Sequence, residues 1–213
     1  MSKLLSLTVL LSALAFPAFA VPIIQFAQTS GSNTITATAN GAQTATNISG
    51  TDVAVNVTQN LGGTLGAAFL AINANSIDAA VPVGTGAVQH YAGTFSIFTG
   101  AGLTGTNLLS GSFSDAALGV GSALVLAIGS PPDLLSLTSA LIPASQLVSP
   151  LAAAFSMTNV LPPIAIVGTT IDSFTSTISG NVSSSTAVAE PATIAVLGMG
   201  ILGLAAVARR KNI

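Results

Sequence analysis

The chain has 213 residues and a net charge of −2; half of its residues are hydrophobic and only 5% are charged. No lysine or arginine stands between Lys3 and Arg209, so this long stretch has no cation to hold phosphates, and no nucleic-acid partner is expected. The absence of cysteine excludes thiol catalysis, a disulfide framework and cysteine-based metal sites.

Residues 1–20 have the pattern of a signal peptide. Lys3 is the basic residue at the start, and an apolar run extends from Leu4 to Phe16. Ala18 and Ala20 are the small residues that precede a signal-peptidase site, so cleavage is expected before Val21. An uncleaved anchor is the alternative. The signal predicts export of the following chain through the secretion translocon.

The body, residues 21–182, has the pattern of short β-strands separated by Gly, Pro, Asn and Ser. In the clearest segment Val53, Val55 and Val57 alternate with polar residues, and this period of two is typical of a half-buried strand. Tyr91 and Phe95 share one parity of a second segment. Further candidate strands are residues 34–39, 65–72, 124–128, 155–160 and 169–182, whereas 134–141 and 147–155 are ambiguous between strand and helix.

This spacing of strands and turns predicts an all-β fold, an antiparallel β-sandwich of jelly-roll-like type, with a barrel as the alternative. The many Gly, Ala, Ser and Thr residues raise a second alternative, a poorly ordered low-complexity chain. A hydrophobic content of 50% argues against disorder, because disordered chains combine low hydrophobicity with high charge.

No catalytic, cofactor or metal site is predicted, and the chain is not expected to be an enzyme. His90 is the only histidine, and no Gly-x-Ser-x-Gly motif accompanies it. The body aspartates are widely spaced, and their expected role is at turns and strand edges, although a pair of them in a cleft would suit calcium or glycoside hydrolysis. These aspartates are Asp52, Asp78, Asp115, Asp133 and Asp172.

Polar residues on the strands are mainly Ser, Thr and Asn. Without tryptophan the chain lacks the usual aromatic platform for a sugar ring, but these polar faces have the groups to hydrogen-bond a polysaccharide. Three N-x-S/T sequons begin at Asn47, Asn56 and Asn181, and they matter only if the host glycosylates exported proteins.

The end of the chain has three parts that follow a small-polar linker, residues 183–188. Glu190 and Pro191 precede an uncharged apolar run, residues 192–208, and the run stops at Arg209-Arg210-Lys211. A helix over residues 192–208 would be about 26 Å long, at the short end of what spans a membrane. The basic end predicts that the body lies outside. A buried helix of a soluble domain is the alternative.

A Gly-x-Gly-x-x-Gly string within the run lacks the βαβ context of a nucleotide site.

This tail, residues 189–213, resembles the PEP-CTERM sorting signal of exported bacterial proteins. The sequence Glu190-Pro191-Ala192-Thr193, the span and Arg209-Arg210-Lys211 match that signal, and Ala189 stands where its first proline is usual. The resemblance implies recognition by an exosortase-type membrane protease, removal of the tail after export and release of the body. Two strings of the body, residues 95–98 and 109–113, also resemble the bodies commonly found in front of this tail, and this resemblance implies a β-sandwich-like fold.

The sequence therefore predicts a non-enzymatic exported protein of the cell surface or extracellular matrix. The resemblance implies association with exopolysaccharide or biofilm, after at least transient anchoring in the inner membrane with the body outside. An adhesin or polysaccharide-binding module is the alternative.

Overall fold

The computed structural model describes residues 21–29, 33–63, 66–84, 86–119, 124–128, 134–149 and 151–184. The predicted signal peptide (1–20) and sorting tail (189–213) lie outside the described residues, together with residues 185–188 of the predicted linker. Among the described residues, no helix is long and apolar enough to span a membrane. The predicted span, residues 192–208, belongs to the part that is not described.

The described chain is all-β and its strands pair antiparallel, which confirms the predicted class. Its one short 3₁₀ turn is Ala144–Gln146. The strands are β1 (Val21–Gln28), β2 (Ile35–Ala39), β3 (Thr46–Asn60), β4 (Gly66–Ser76), β5 (Val81–Val83), β6 (Gly86–Gly100), β7 (Thr104–Gly119), β8 (Leu124–Ile128), β9 (Leu135–Thr138), β10 (Leu151–Leu161), β11 (Ile166–Val167), β12 (Thr170–Ile171) and β13 (Phe174–Ser184).

The main sheet closes on itself. Around the circuit the order is β3, β4, β6, β7, β8, β10, β13 and β1, and β1 pairs with β3 again. Two positions in the circuit are each occupied by two strands that lie end to end. Like β1, β2 lies between β13 and β3, and both β8 and β9 pair with β7, at different residues along it. Closure matters for a charge-poor chain, because a closed sheet presents few unpaired edges to a second molecule.

The connections around this circuit are local. Each position pairs with the position that precedes it and the position that follows it in the chain, so the sheet is a closed meander. A jelly roll instead needs Greek-key connections that cross between distant strands. The jelly-roll part of the prediction is therefore wrong. The physical reason is the length of the turns: residues 40–45 and 101–103, for example, can reach only the adjacent strand.

Alternation along the strands fills the interior with apolar side chains. Val53, Val55 and Val57 are all buried, as predicted, and so are Tyr91 and Phe95. Rings meet in the centre, where Phe155 lies 5.0 Å from Phe95 and 5.9 Å from Phe26, measured between ring centroids. The interior is thus a packed core and not an open channel.

The two ends of the described chain are adjacent. Val21 at the start of β1 pairs with Ser184 at the end of β13, and this end of the body is called the terminal end. Ser183 and Ser184 also pair with β10, so the first two residues of the predicted linker belong to the sheet. The opposite end, called the loop end, carries the loops 40–45 and 77–80 and the segment 162–173, which contains the short strands β11 and β12.

Candidate functional site

The outer face of the sheet over β2, β3, β4, β6, β7 and β9 carries rows of uncharged polar side chains. Because alternate residues fill the core, those between them point outwards. In one row each residue is the register partner of the next: Thr36, Ser49, Asn73, Thr94, Ser112 and Ser136. A second row joins Ala71, Ser96, Ser110 and Thr138. Neighbouring groups in a row are about 4.8 Å apart, the spacing of strands.

A hollow of about 270 Å³ interrupts this face and is called the outer groove. It lies where the β3–β4 register shifts between Gly50 and Val53, which forms a bulge in β3. The small side chain of Ala71 deepens it. Its outward-facing lining consists of Ser49, Thr51, Ala71, Asn73, Thr94 and Ser96, with Leu103 from the β6–β7 turn.

Asp52 fixes the turn that brings Leu103 to the groove. This residue lies in the bulge with a left-handed backbone, φ 52°, and its Oδ1 accepts a hydrogen bond of 2.6 Å from the Gly102 N–H. Since β4 lies between β3 and β6, the bond reaches across the width of β4. Leu103 also has a left-handed backbone, φ 57°, and its side chain is 47% exposed.

A cluster of three asparagines orders one side of the groove. The amide nitrogen of Asn47 donates to Oδ1 of Asn73 and to Oδ1 of Asn75, both at 2.9 Å. With these oxygens engaged, the amide nitrogens of Asn73 and Asn75 are left on the solvent side as donors. The cluster presents oriented hydrogen-bonding groups without a formal charge.

A second hollow, of about 320 Å³, lies on another part of the outer surface, over β1, β3, β10 and β13. Its lining is also uncharged, but all of its lining residues belong to strands and none of them has a left-handed backbone. The residues that line it on the outside are Gln25, Ala27, Thr58, Ala154, Ser156, Ser179 and Asn181.

The loop end brings together two of the residues that were considered for chemistry. His90 Nδ1 lies 2.5 Å from Asp78 Oδ2, and the His90 N–H donates to Asp78 Oδ1 at 2.9 Å. Both side chains are about 40% exposed. An exposed ion pair is typically worth about 0–1 kcal/mol. The pair holds the 77–80 loop against the start of β6.

Beneath this pair lies a buried polar network that sequence reasoning missed. The Gln89 Oε1 accepts hydrogen bonds from the Tyr91 hydroxyl at 2.9 Å and from the Ile171 N–H at 3.1 Å. Thr170 Oγ1 bonds to Gln89 and lies 2.6 Å from Thr46 Oγ1. The network attaches β12 to β3 and β6, so its geometry is that of a cap over the loop end.

Burial strongly raises the pKa of Tyr91. The hydrogen bond with Thr46 lowers this pKa by a smaller amount, and the negative charge of Asp78 adds a still smaller rise. The neutral phenol is therefore the form that the folded state stabilises. Between residues 21 and 184 no other side chain titrates above about pH 9, because this stretch has no Lys, Arg, Cys or second Tyr.

The change in folding stability at alkaline pH can therefore be assigned to Tyr91 alone. The unfolded chain loses the phenol proton near about pH 10, whereas the folded chain keeps it to a higher pH. The stabilisation from Tyr91 is thus complete below about pH 10 and is lost as the pH rises through the folded pKa. Urea unfolding between pH 7 and pH 11.5 (~1 unit steps) should show this loss.

The Tyr91→Phe variant is the control for that experiment. Its free energy of unfolding at neutral pH should be about 0.5–1.5 kcal/mol lower, because the hydrogen bond to Gln89 is lost. Through the alkaline range its stability should stay level. An equal alkaline loss in the variant would show that another group is responsible.

The remaining predicted residues are dispersed. Asp172 accepts from the Ser173 N–H and Asp115 lies on β7. Within the described ranges, no three His, Cys, Asp or Glu side chains come together as a metal site would require. Outside the described residues lie Asp133, the signal-peptide residues Ala18 and Ala20, and the sorting-signal residues Glu190, Pro191, Arg209, Arg210 and Lys211.

Comparison with known proteins gives no relative: no family model, no curated protein and no solved structure matches the chain.

Proposed function

We propose that the chain is an exported, non-enzymatic protein of the cell surface or extracellular matrix, delivered by its two terminal segments. The signal peptide would take it through the translocon, and the PEP-CTERM-like tail would present it to an exosortase-type membrane protease. The observation that carries the role of the body is its closed sheet with an uncharged, hydroxyl- and amide-rich outer face. Such a surface suits a hydrated polysaccharide matrix.

The architecture proposed for this body is a flattened closed sheet, in effect a sandwich of two facing layers. Its support is the contact between Phe95 on β6 and Phe155 on β10, which are three positions apart in the circuit. Their rings could not meet at 5.0 Å across a wide interior. Facing layers of a sandwich lie about 10 Å apart, a distance that two rings can fill.

The position of the chain ends is compatible with tethering and release. Val21 and Ser184 are register partners, so both terminal segments leave from the terminal end of the body. Either segment therefore joins the body at the end opposite the loop end.

The test is intact-mass spectrometry of the protein recovered from its host after export. We expect an N-terminus at Val21 and loss of the residues after about Glu190. A double variant, Glu190→Ala with Pro191→Ala, should keep its tail and remain with the membrane. Ala189→Pro, which completes the Pro-Glu-Pro motif, is the matched control and should be processed at least as fast. An intact wild-type C-terminus at Ile213 would contradict the sorting proposal.

The second candidate is an adhesin or polysaccharide-binding module. The outer groove favours it, because the groove is concave and holds polar groups in fixed positions, two features that small-ligand sites share.

A further inference from the structure

The geometry points to the outer groove as a binding site for a neutral glycan, with Asn73, Thr94 and Ser96 as hydrogen-bonding groups and Leu103 as an apolar wall. This inference rests on the second candidate function, the polysaccharide-binding module, and locates its site. It does not depend on how the tail is processed.

The size of the groove suits part of a polymer. At about 270 Å³ it is smaller than the pockets of about 300–1,000 Å³ that enclose whole small ligands. It is also open, and the polar row continues on both sides of it, to Thr36 on one side and Ser112 on the other. One or two sugar units would occupy the groove while the rest of the chain lies along the row.

The charge of the surroundings selects an uncharged ligand. No lysine or arginine occurs between residues 4 and 208, so the body has no permanent positive charge for uronate, sulfate or phosphate groups. The nearest formal charge is the Asp52 carboxylate in the bulge beside the groove, and it repels anions. Hydroxyl and amide groups can instead exchange hydrogen bonds with sugar hydroxyls in both directions.

The backbone of Leu103 is the second observation that marks this place. A leucine at φ 57° is unfavourable, since the left-handed region is normally taken by Gly, Asn or Asp. Here the strained residue is also an exposed apolar one, 47% accessible, where glycine would avoid the strain. The site thus retains an apolar side chain at a cost in stability, as a wall for the C–H face of a sugar would require.

Asp52 is a positioning residue in this scheme. Its bond to the Gly102 N–H sets the turn, and so the place of Leu103. Asn47 has the same role for Asn73, whose oxygen it engages. Both residues act through their neighbours and not through the glycan.

The test uses affinity electrophoresis of the protein expressed from the full chain and recovered after export. The gels contain dextran, soluble starch or galactomannan as neutral polymers, with alginate as the acidic one. We expect retardation by at least one neutral polymer and none by alginate. Asn73→Ala and Thr94→Val should each weaken binding about three- to tenfold, the worth of one hydrogen bond.

Leu103→Gly separates binding from stability. It should weaken binding about tenfold with the loss of the apolar wall, while Tm stays the same or rises, because glycine relieves the left-handed strain. Asn181→Ala, in the second hollow, is the matched control and should bind as the wild type does.

Three results would overturn the inference: no retardation by any neutral polymer, retardation by alginate alone, or equal losses in Asn181→Ala and the groove variants. None of them would bear on tail processing, which the mass of the exported protein decides separately.

Discussion

Replacing Phe155 with alanine is expected to lower the free energy of unfolding by about 3–5 kcal/mol, the usual loss for a large aromatic residue in a core. Phe155 is completely buried on β10. It packs edge-on against Phe95 of β6, with 77° between the ring planes, and at 51° to Phe26 of β1. Alanine would remove the ring that joins three sides of the closed sheet and would leave a cavity between them.

The backbone around Phe155 makes collapse of that cavity difficult. Gly180 on β13 lies directly against the rings: a Cβ there would be 2.5 Å from Phe26 Cζ and 2.7 Å from Phe155 Cδ1. The strand next to β10 is therefore already in contact with the aromatic cluster. Chemical denaturation measures the loss, and Phe98→Ala, on the outer face of β6, is the control. A loss in Phe155→Ala no larger than in Phe98→Ala would contradict the packing described.

Gly93→Ala is the second substitution with a large expected effect, a loss of about 3 kcal/mol or more, at or above the upper range for overpacking. A Cβ on Gly93 would meet the backbone of β4, 2.6 Å from Ala74 Cα and closer still to the Asn73 carbonyl oxygen. The obstacle is main chain and not a flexible side chain, so β4 and β6 would have to separate where they pair.

Gly119→Ala is the matched control for that change. Gly119 is also a strand glycine, at the end of β7, and a Cβ there would have nothing within 4 Å. Its substitution should change stability by less than about 1 kcal/mol. Thermal unfolding of both variants gives the comparison, and similar midpoints would mean that β4 and β6 are less closely packed at Gly93 than described.

Strand pattern alone predicted the class of this fold and much of its core. The alternation of Val53, Val55 and Val57 correctly identified one inward face, because the period of a strand is a local property. The closed meander was not predictable in the same way. It depends on which strands pair, and the period of two is the same in a jelly roll and in a meander. Residues 134–141, ambiguous by pattern, include the short strand β9.

The candidate site was predictable only in its chemistry. Ser, Thr and Asn on strand faces predicted a surface of uncharged hydrogen-bonding groups, and the rows through Asn73 and Thr94 have this chemistry. Its groove depends on a bulge at Asp52 and on a leucine with a left-handed backbone. The leucine has no sequence signal, since Gly, Asn or Asp would be expected at such a φ value, and a single aspartate does not by itself indicate a bulge. The network of Gln89 was missed because its partners Thr170 and Ile171 on β12 are 81 and 82 residues away in the chain.

The place of Ser184 has a mechanical consequence. β13 is hydrogen-bonded along both edges, to β10 on one side and to β1 and β2 on the other. Hydrogen bonds between strands lie perpendicular to the strand axis. A pull on Ser184 along β13 would therefore load many of these bonds together in shear and would not peel them one after another. If the tail attaches the body to a membrane, as proposed, fluid drag on the body would pull on β13 and would act against these bonds in shear.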